Sequence, residues 1–281
     1  MIKINPLTLS NPIQRILTGI GLTLLIFFVI ARDSSLLFTM FLILVASLAA
    51  YEWADTVGIS RFVSRLIYSL TTALVTIFLI YVSNNQISLI LASVGLVYIL
   101  LCCLILLIEE RGSQINLDLR GLWQVGGLGI IPINSIVLLS IFKMDPMYVA
   151  YFLMIVCSID TFSYMGGKLL GKNLFVPIIS PNKTVEGLIV GFLFGFLIFN
   201  LINVFSSLFT LDVLTANGAY LFIFLGAIIG DLNVSIMKRK SGKKNTGRLF
   251  PGHGGVLDRI DSIIFGAPCF FISLSILKTI S

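Results

Sequence analysis

Charge is scarce in this chain. Asp, Glu, Lys and Arg together make up 11% of its 281 residues, against 57% for the hydrophobic types. So little polar surface cannot cover a water-soluble core, which excludes an ordinary soluble domain. Cysteine is scarce too: Cys102, Cys103, Cys157 and Cys269 all fall in apolar stretches. They have neither the spacing of a metal knuckle nor that of an extracellular disulfide framework, and they read as packing residues. The single histidine, His253, taken alone favours a loop hydrogen-bonder over a general base. The sequence contains no internal repeat, no low-complexity tract and no loop long enough for a separate soluble domain. The first apolar run ends at Arg32-Asp33 without a small-residue cleavage site, so a retained span is expected rather than a signal peptide.

What is present is apolar sequence in lengths that cross about 30 Å of hydrocarbon. Such runs occur near residues 14–31, 36–53, 62–82, 88–108, 122–142, 147–166, 187–208, 219–236 and 262–280. They predict an all-α integral membrane protein, a polytopic helical bundle of about nine transmembrane helices. Placing the N-terminus in the cytoplasm puts every Lys and Arg but Arg32, Lys143 and Lys278 on the cytoplasmic side, the asymmetry expected of short loops. The reading is one membrane domain over 1–281. Residues 1–118 form scaffold helices; 119–281 form catalytic helices with a cytoplasmic loop at 237–261. In the front half, Tyr51-Glu52-Trp53 has the composition of an interfacial aromatic belt. Gly126, Gly127, Gly129 and Pro132 suit close helix packing or a helix break.

Three polar segments interrupt the rear half. In the first, Asp160 arrives within a hydrophobic helix, where an unpaired carboxylate costs about 3 kcal/mol on insertion scales. It needs a cation, a metal or a watery cavity, and Tyr164 shares its helix face. In the second, Ser180-Pro181-Asn182-Lys183-Thr184 precedes an apolar helix that Asn182 or Thr184 can cap, and Lys183 adds charge beside an anion-binding helix N-terminus. The third, Asp231 to Asp261, gathers carboxylates, cations and a glycine-rich turn. Asp231 and Ser235 share one helix face, and so do Asp258 and Asp261. Carboxylates from two helix ends match the needs of Mg²⁺, which takes one or two of them with phosphate oxygens and water. Between them Lys238, Arg239, Lys240, Lys243, Lys244 and Arg248 can neutralise a triphosphate. Gly252, Gly254 and Gly255 let backbone approach a phosphate. Anionic headgroups would explain the lysines but not the paired aspartates. Nucleic acid is not expected, because interleaved aromatics are missing.

Ser235, Lys238, Arg239 and Lys244, followed by Pro251-Gly252-His253-Gly254-Gly255, Asp258-Arg259 and Asp261, resemble the signature of the phosphatidate cytidylyltransferases, or CDP-diacylglycerol synthases. Gly230-Asp231, Ser180 to Thr184, Asp160 with Tyr164, and Glu52-Trp53 also look like family positions. The resemblance covers about 155–265 strongly and the front half weakly. Two positions depart from the pattern, Asn245 where the family has Asp and Val234 where it has Glu; both remove negative charge.

The resemblance implies cytidylyl transfer from CTP to phosphatidate, giving CDP-diacylglycerol and pyrophosphate, with Mg²⁺ and a second metal ion as candidate cofactors. It assigns Asp231, Asp258, Asp261 and Asp160 to metal, and Ser235, Lys238, Arg239, Lys244, His253 and Arg259 to phosphates and group positioning. Lys183, Gly252, Gly254 and Gly255 would contact the nucleotide. The partners are CTP, phosphatidate and membrane lipid, a homodimer is compatible with the reading, and the site would face the cytoplasm from the inner membrane. Three rivals stand beside it: another CTP-dependent lipid enzyme such as a polyprenol kinase, a transporter, and a family copy that Val234 and Asn245 leave weakened or inactive.

Overall fold

A computed structural model describes residues 12–110, 119–206, 213–247, 249–250 and 254–280. Arg248, Pro251, Gly252 and His253 lie outside the described residues. Within them the chain forms helices α1 (Pro12–Ala31), α2 (Ser35–Thr56), α3 (Phe62–Val82), α4 (Asn85–Glu110), α5 (Arg120–Met144) and α6 (Pro146–Leu170). A hairpin follows, β1 (Leu174–Val176) and β2 (Ser180–Thr184), and then α7 (Val185–Ser206), α8 (Val213–Lys240) and α9 (Leu257–Ile280). Eight of these helices, α2 through α9, are long and apolar enough to span a membrane, and Thr18–Ala31 in α1 is a shorter apolar helix. This is a multi-span membrane protein, and the described part of each expected apolar run lies on one helix.

The pattern of exposure is that of a protein whose outside is lipid. On α3, Leu70, Leu74 and Phe78 face outward, and on α7 so do Leu193, Leu197 and Phe205. Leucine and phenylalanine on the surface of a water-soluble bundle would be a liability, but in hydrocarbon they cost nothing. At the centre stand α5 and α9. Ten successive residues of α5, Ile130 to Leu139, are all buried, and α9 buries Phe265, Phe270 and Phe271. Of the two readings of the α5 glycines and Pro132, close packing holds and a break does not occur. The helix runs through Pro132, and its glycines serve packing: the Gly126 backbone lies against the Tyr98 ring and Gly127 against Trp53 and Tyr68. Trp53 Nε1 then donates to the Trp123 carbonyl at 2.8 Å, and the Tyr68 hydroxyl to that of Gln124 at 2.7 Å.

Small residues also set the two closest helix pairs of the rear half. Gly187, Gly191 and Gly195 repeat every fourth residue along one face of α7, so α6 can approach until a Cβ at Gly187 would lie 2.6 Å from the Ser163 carbonyl oxygen. Between α8 and α9, Gly230 meets the Asp261 carbonyl and Gly226 the Phe265 carbonyl. Dispersion and close backbone approach replace the hydrophobic effect as the force between helices in lipid.

Among the described residues, the hairpin is the one sheet added to the helices, antiparallel with Leu174 opposite Thr184 and Val176 opposite Ser180. Its base is tied by Glu186 at the start of α7, whose carboxylate accepts from the Lys172 backbone N–H at 3.0 Å and from Asn173 Nδ2 at 2.7 Å.

Candidate functional site

A cavity of about 620 Å³ opens where α6, α8, α9 and the hairpin meet. Its wall carries Asp160, Tyr164 and Lys168 from α6, Lys183 from β2, Asp231 and Lys238 from α8, Asn245 from the following loop, and Asp258, Arg259, Asp261 and Ser262 from α9. At 1.5 Å per residue, Asp160 and Asp231 sit about 13–15 Å below the ends of their helices. The cavity therefore descends from the loop end of the bundle to the depth of the hydrocarbon, which is how charged side chains persist there.

Four elements bring these groups together. Gly230 lets α9 close on α8, which places Asp261 beside Asp231. Lys183, delivered by the hairpin, pairs with Asp231 at 2.6 Å. Ser235, one turn further along α8, donates to Asp231 at 3.4 Å, and Ser262 donates to Asp160 at 3.3 Å. The carboxylates of Asp160, Asp231 and Asp261 share the cavity wall, and one ammonium, Lys183, forms an ion pair with the group through Asp231.

Asp258 behaves differently from the other three. Its Oδ1 accepts from Lys238 Nζ at 2.9 Å, and its Oδ2 from the backbone N–H groups of Thr246 at 2.9 Å and Gly255 at 3.0 Å. A carboxylate in the first turn of a helix reaches back to the donors preceding it, as in a capping box. Oδ2 is thereby committed to holding the loop and Oδ1 to Lys238 at the end of α8. The four aspartates accordingly do not converge as one ligand set: among the described residues, no group of three or more Asp, Glu, His or Cys side chains is arranged around a single metal position.

The cations separate in the same way. Lys183, Lys238 and Arg259 line the cavity. Arg239 instead turns to the hairpin and donates to the Ile179 carbonyl at 3.4 Å. Lys240 pairs with Glu109 at the end of α4 and lies 5.8 Å from the centre of the Trp123 ring. Lys243 bonds both the carboxylate of Asp55, at 2.7 Å, and its carbonyl, at 2.9 Å. Lys244 is exposed outside the cavity wall. Gly254 takes a left-handed φ of 83° where the loop folds back, with Phe250 and Gly254 bridged. Gly255 donates to Asp258, and Gly252 and His253 fall outside the described residues.

Three further residues belong here that spacing did not reveal. Ser262 and Lys168 line the cavity, and Glu52 reaches the loop from α2. The Tyr51-Glu52-Trp53 segment is not an interfacial belt, because Trp53 is fully buried and Glu52 is 8% exposed. The carboxylate is held inside by hydrogen-bond donors of the 246–257 loop. Of the two departures from the family pattern, Val234 is fully buried in the core, whereas Asn245 is on the cavity wall.

This geometry accords with what sequence comparison finds. Residues 13–277 match the cytidylyltransferase family. Among similar proteins, the phosphatidate cytidylyltransferase of Rickettsia bellii (strain RML369-C) is 42% identical over 146 residues, covering 50% of this chain and 63% of that protein. That of Staphylococcus aureus (strain COL) is 44% identical over 127 residues, covering 45% of this chain and 48% of that protein. That of Rickettsia typhi (strain ATCC VR-144 / Wilmington) is 40% identical over 146 residues, covering 50% and 64%. The matched stretch thus spans between about half and just under two thirds of these relatives. With its match extending over nearly every residue, the chain belongs to the cytidylyltransferase family.

Proposed function

We propose that this protein transfers a cytidylyl group from CTP to phosphatidate, in the inner membrane and on its cytoplasmic side. A phosphate oxygen of phosphatidate attacks the α-phosphorus of CTP, the bond from that phosphorus to the bridging oxygen breaks, and CDP-diacylglycerol and pyrophosphate form. The observation that carries this reading is the mixed charge of one cavity, carboxylates on its inner wall and Lys183, Lys238 and Arg259 around them, in a chain of this family. A purely cationic pocket would suit any headgroup, and a purely acidic one would repel both substrates.

Beside Asp160 on the cavity wall, Asp231 and Asp261, hard oxygen donors from adjoining helices, fit Mg²⁺, which takes one or two carboxylates and fills its remaining positions with phosphate oxygens and water. They would hold it, and when bound it supplies charge neutralisation on the triphosphate. The rest falls to the chain's own side chains. Lys238, fixed by Asp258, and Arg259 stabilise charge accumulating on the departing pyrophosphate. Lys183, on the hairpin, closes the nucleotide from the opposite wall. The depth of the cavity lets phosphatidate present its headgroup without leaving the leaflet, while the loop end admits CTP from water. Asn245 on the wall favours a second reading, an enzyme of reduced metal affinity, since an amide offers an oxygen without charge.

Membranes containing the protein, supplied with phosphatidate, Mg²⁺ and CTP labelled in the α-phosphate, are expected to yield labelled CDP-diacylglycerol and unlabelled pyrophosphate. Label reaching the lipid only from the γ-phosphate would establish a kinase instead. Substrate flux into liposomes without pyrophosphate release would establish a transporter.

A further inference from the structure

Glu52 is a charged residue inside the bundle, 8% exposed. It stands on α2, in the front half of the chain, yet its carboxylate is held from the loop before α9 and from the first residue of that helix. Oε2 accepts from the Leu257 backbone N–H at 2.9 Å and from the Thr246 hydroxyl at 3.1 Å, and the Val256 backbone also reaches it. No Lys or Arg among the described residues forms an ion pair with it. A buried carboxylate without a cation is tolerated only where several N–H and O–H groups solvate it. Here the backbone donors belong to the N-terminus of α9, whose unpaired N–H groups and dipole favour negative charge, and Thr246 adds a hydroxyl from the loop. Gly247 and Gly255 close on the carboxylate from two sides, each so near that any Cβ would collide with it.

The loop is thus clamped between two acids. Thr246 gives its hydroxyl to Glu52 and its N–H to Asp258, and Asp258 in turn holds Lys238. One turn beyond Glu52 on the same helix, Asp55 anchors Lys243 at the start of the loop. We propose that Glu52 is a positioning residue for cytidylyl transfer, solvating the first turn of α9 from across the bundle so that Asp258, Lys238 and Arg259 face the nucleotide. This rests on the function proposed above. The half of the chain with little intramembrane charge then sets the shape of the nucleotide site.

The test uses the full-length protein in detergent with two readouts, steady-state kinetics and trypsin cleavage of the loop at Lys243, Lys244 and Arg248. Glu52→Gln keeps the shape and one acceptor oxygen but loses the charge. Its KM for CTP is expected to rise at least tenfold while that for phosphatidate stays within twofold, and loop cleavage is expected to quicken at least tenfold. A merely structural role would lower the maximal rate with the folded fraction and leave both KM values alone. Thr246→Val should act in the same direction more weakly, and adding it to Glu52→Gln should cost less than the two separate effects combined. Should Glu52→Gln fail to accumulate in membranes, Gly247→Ala, which pushes a methyl into the same carboxylate, and Thr246→Val carry both measurements. An unchanged KM for CTP or unchanged loop cleavage overturns the proposal. A wild-type protein that makes no CDP-diacylglycerol overturns the function instead, and the cleavage arm still decides whether Glu52 holds the loop.

Discussion

Replacing Asp258 with asparagine removes one negative charge from a pair whose side chains are only 7% and 13% exposed, Asp258 and Lys238 respectively. The substitution is nearly isosteric, so the change is electrostatic. The amide can keep its oxygen toward the N–H groups of Thr246 and Gly255, but its NH₂ then faces the Lys238 ammonium, donor against donor. Breaking a buried pair from one side costs about 3–5 kcal/mol, an upper bound here because Lys238 can swing toward the cavity water. If even 3 kcal/mol of that falls on the orientation of Lys238, turnover drops by about 150-fold, at 1.4 kcal/mol per factor of ten. Asp261→Asn instead removes one of the two carboxylates proposed to hold Mg²⁺, so its principal effect should be on the metal. The expected contrast is therefore in the Mg²⁺ titration of CDP-diacylglycerol formation. Asp261→Asn should move the half-maximal Mg²⁺ concentration upward at least tenfold, whereas Asp258→Asn should lower the plateau and leave the midpoint within twofold. An equal midpoint shift in both variants would show that Asp258 binds metal directly and that its three hydrogen bonds are incidental.

Two further outcomes are expected. Gly230→Ala drives a methyl toward the Asp261 carbonyl and should destabilise the α8–α9 contact by about 1–3 kcal/mol, read as a lowered melting temperature in detergent together with loss of turnover. Asn245→Asp restores a carboxylate on the cavity wall and should lower the Mg²⁺ concentration needed for half-maximal activity several-fold, while Val234→Glu, placing a charge at a fully buried core position, should reduce folded protein in membranes without that gain.

The spans could be read from the sequence because a bilayer imposes a minimum apolar length on each of them, and that length is visible one segment at a time. The same logic exposed Asp160, Asp231 and Asp261, since a carboxylate inside such a segment has few explanations. Asp258 shows where that reasoning stops. Its spacing to Asp261 specified a shared helix face, but the Lys238, Thr246 and Gly255 donors that occupy it follow from how the loop closes, which residue spacing does not encode. Glu52 was hidden for a related reason: its partners lie about two hundred residues away in sequence, and beside Tyr51 and Trp53 it has the local composition of an interface. The hairpin was unreadable because its strands, three and five residues long, are too short to display an alternating pattern. The glycines of α7 carry a visible four-residue repeat, Gly187, Gly191 and Gly195, whose partner helix only the folded structure identifies.

At the end of α8, Lys238, Arg239 and Lys240 point to three different elements: α9, the hairpin and α4. Consecutive side chains on a helix are separated by about 100°, so these three attachments fix the rotational phase of α8 about its own axis as bolts fix a flange. Lengthening α8 by one residue ahead of Lys238 would swing all three away from their seats at once. Lipid-facing α3 is fastened by one ion pair among the described residues, Arg65 with Asp55 near its start, so a change of length beyond that point displaces fewer attachments than it would in α8.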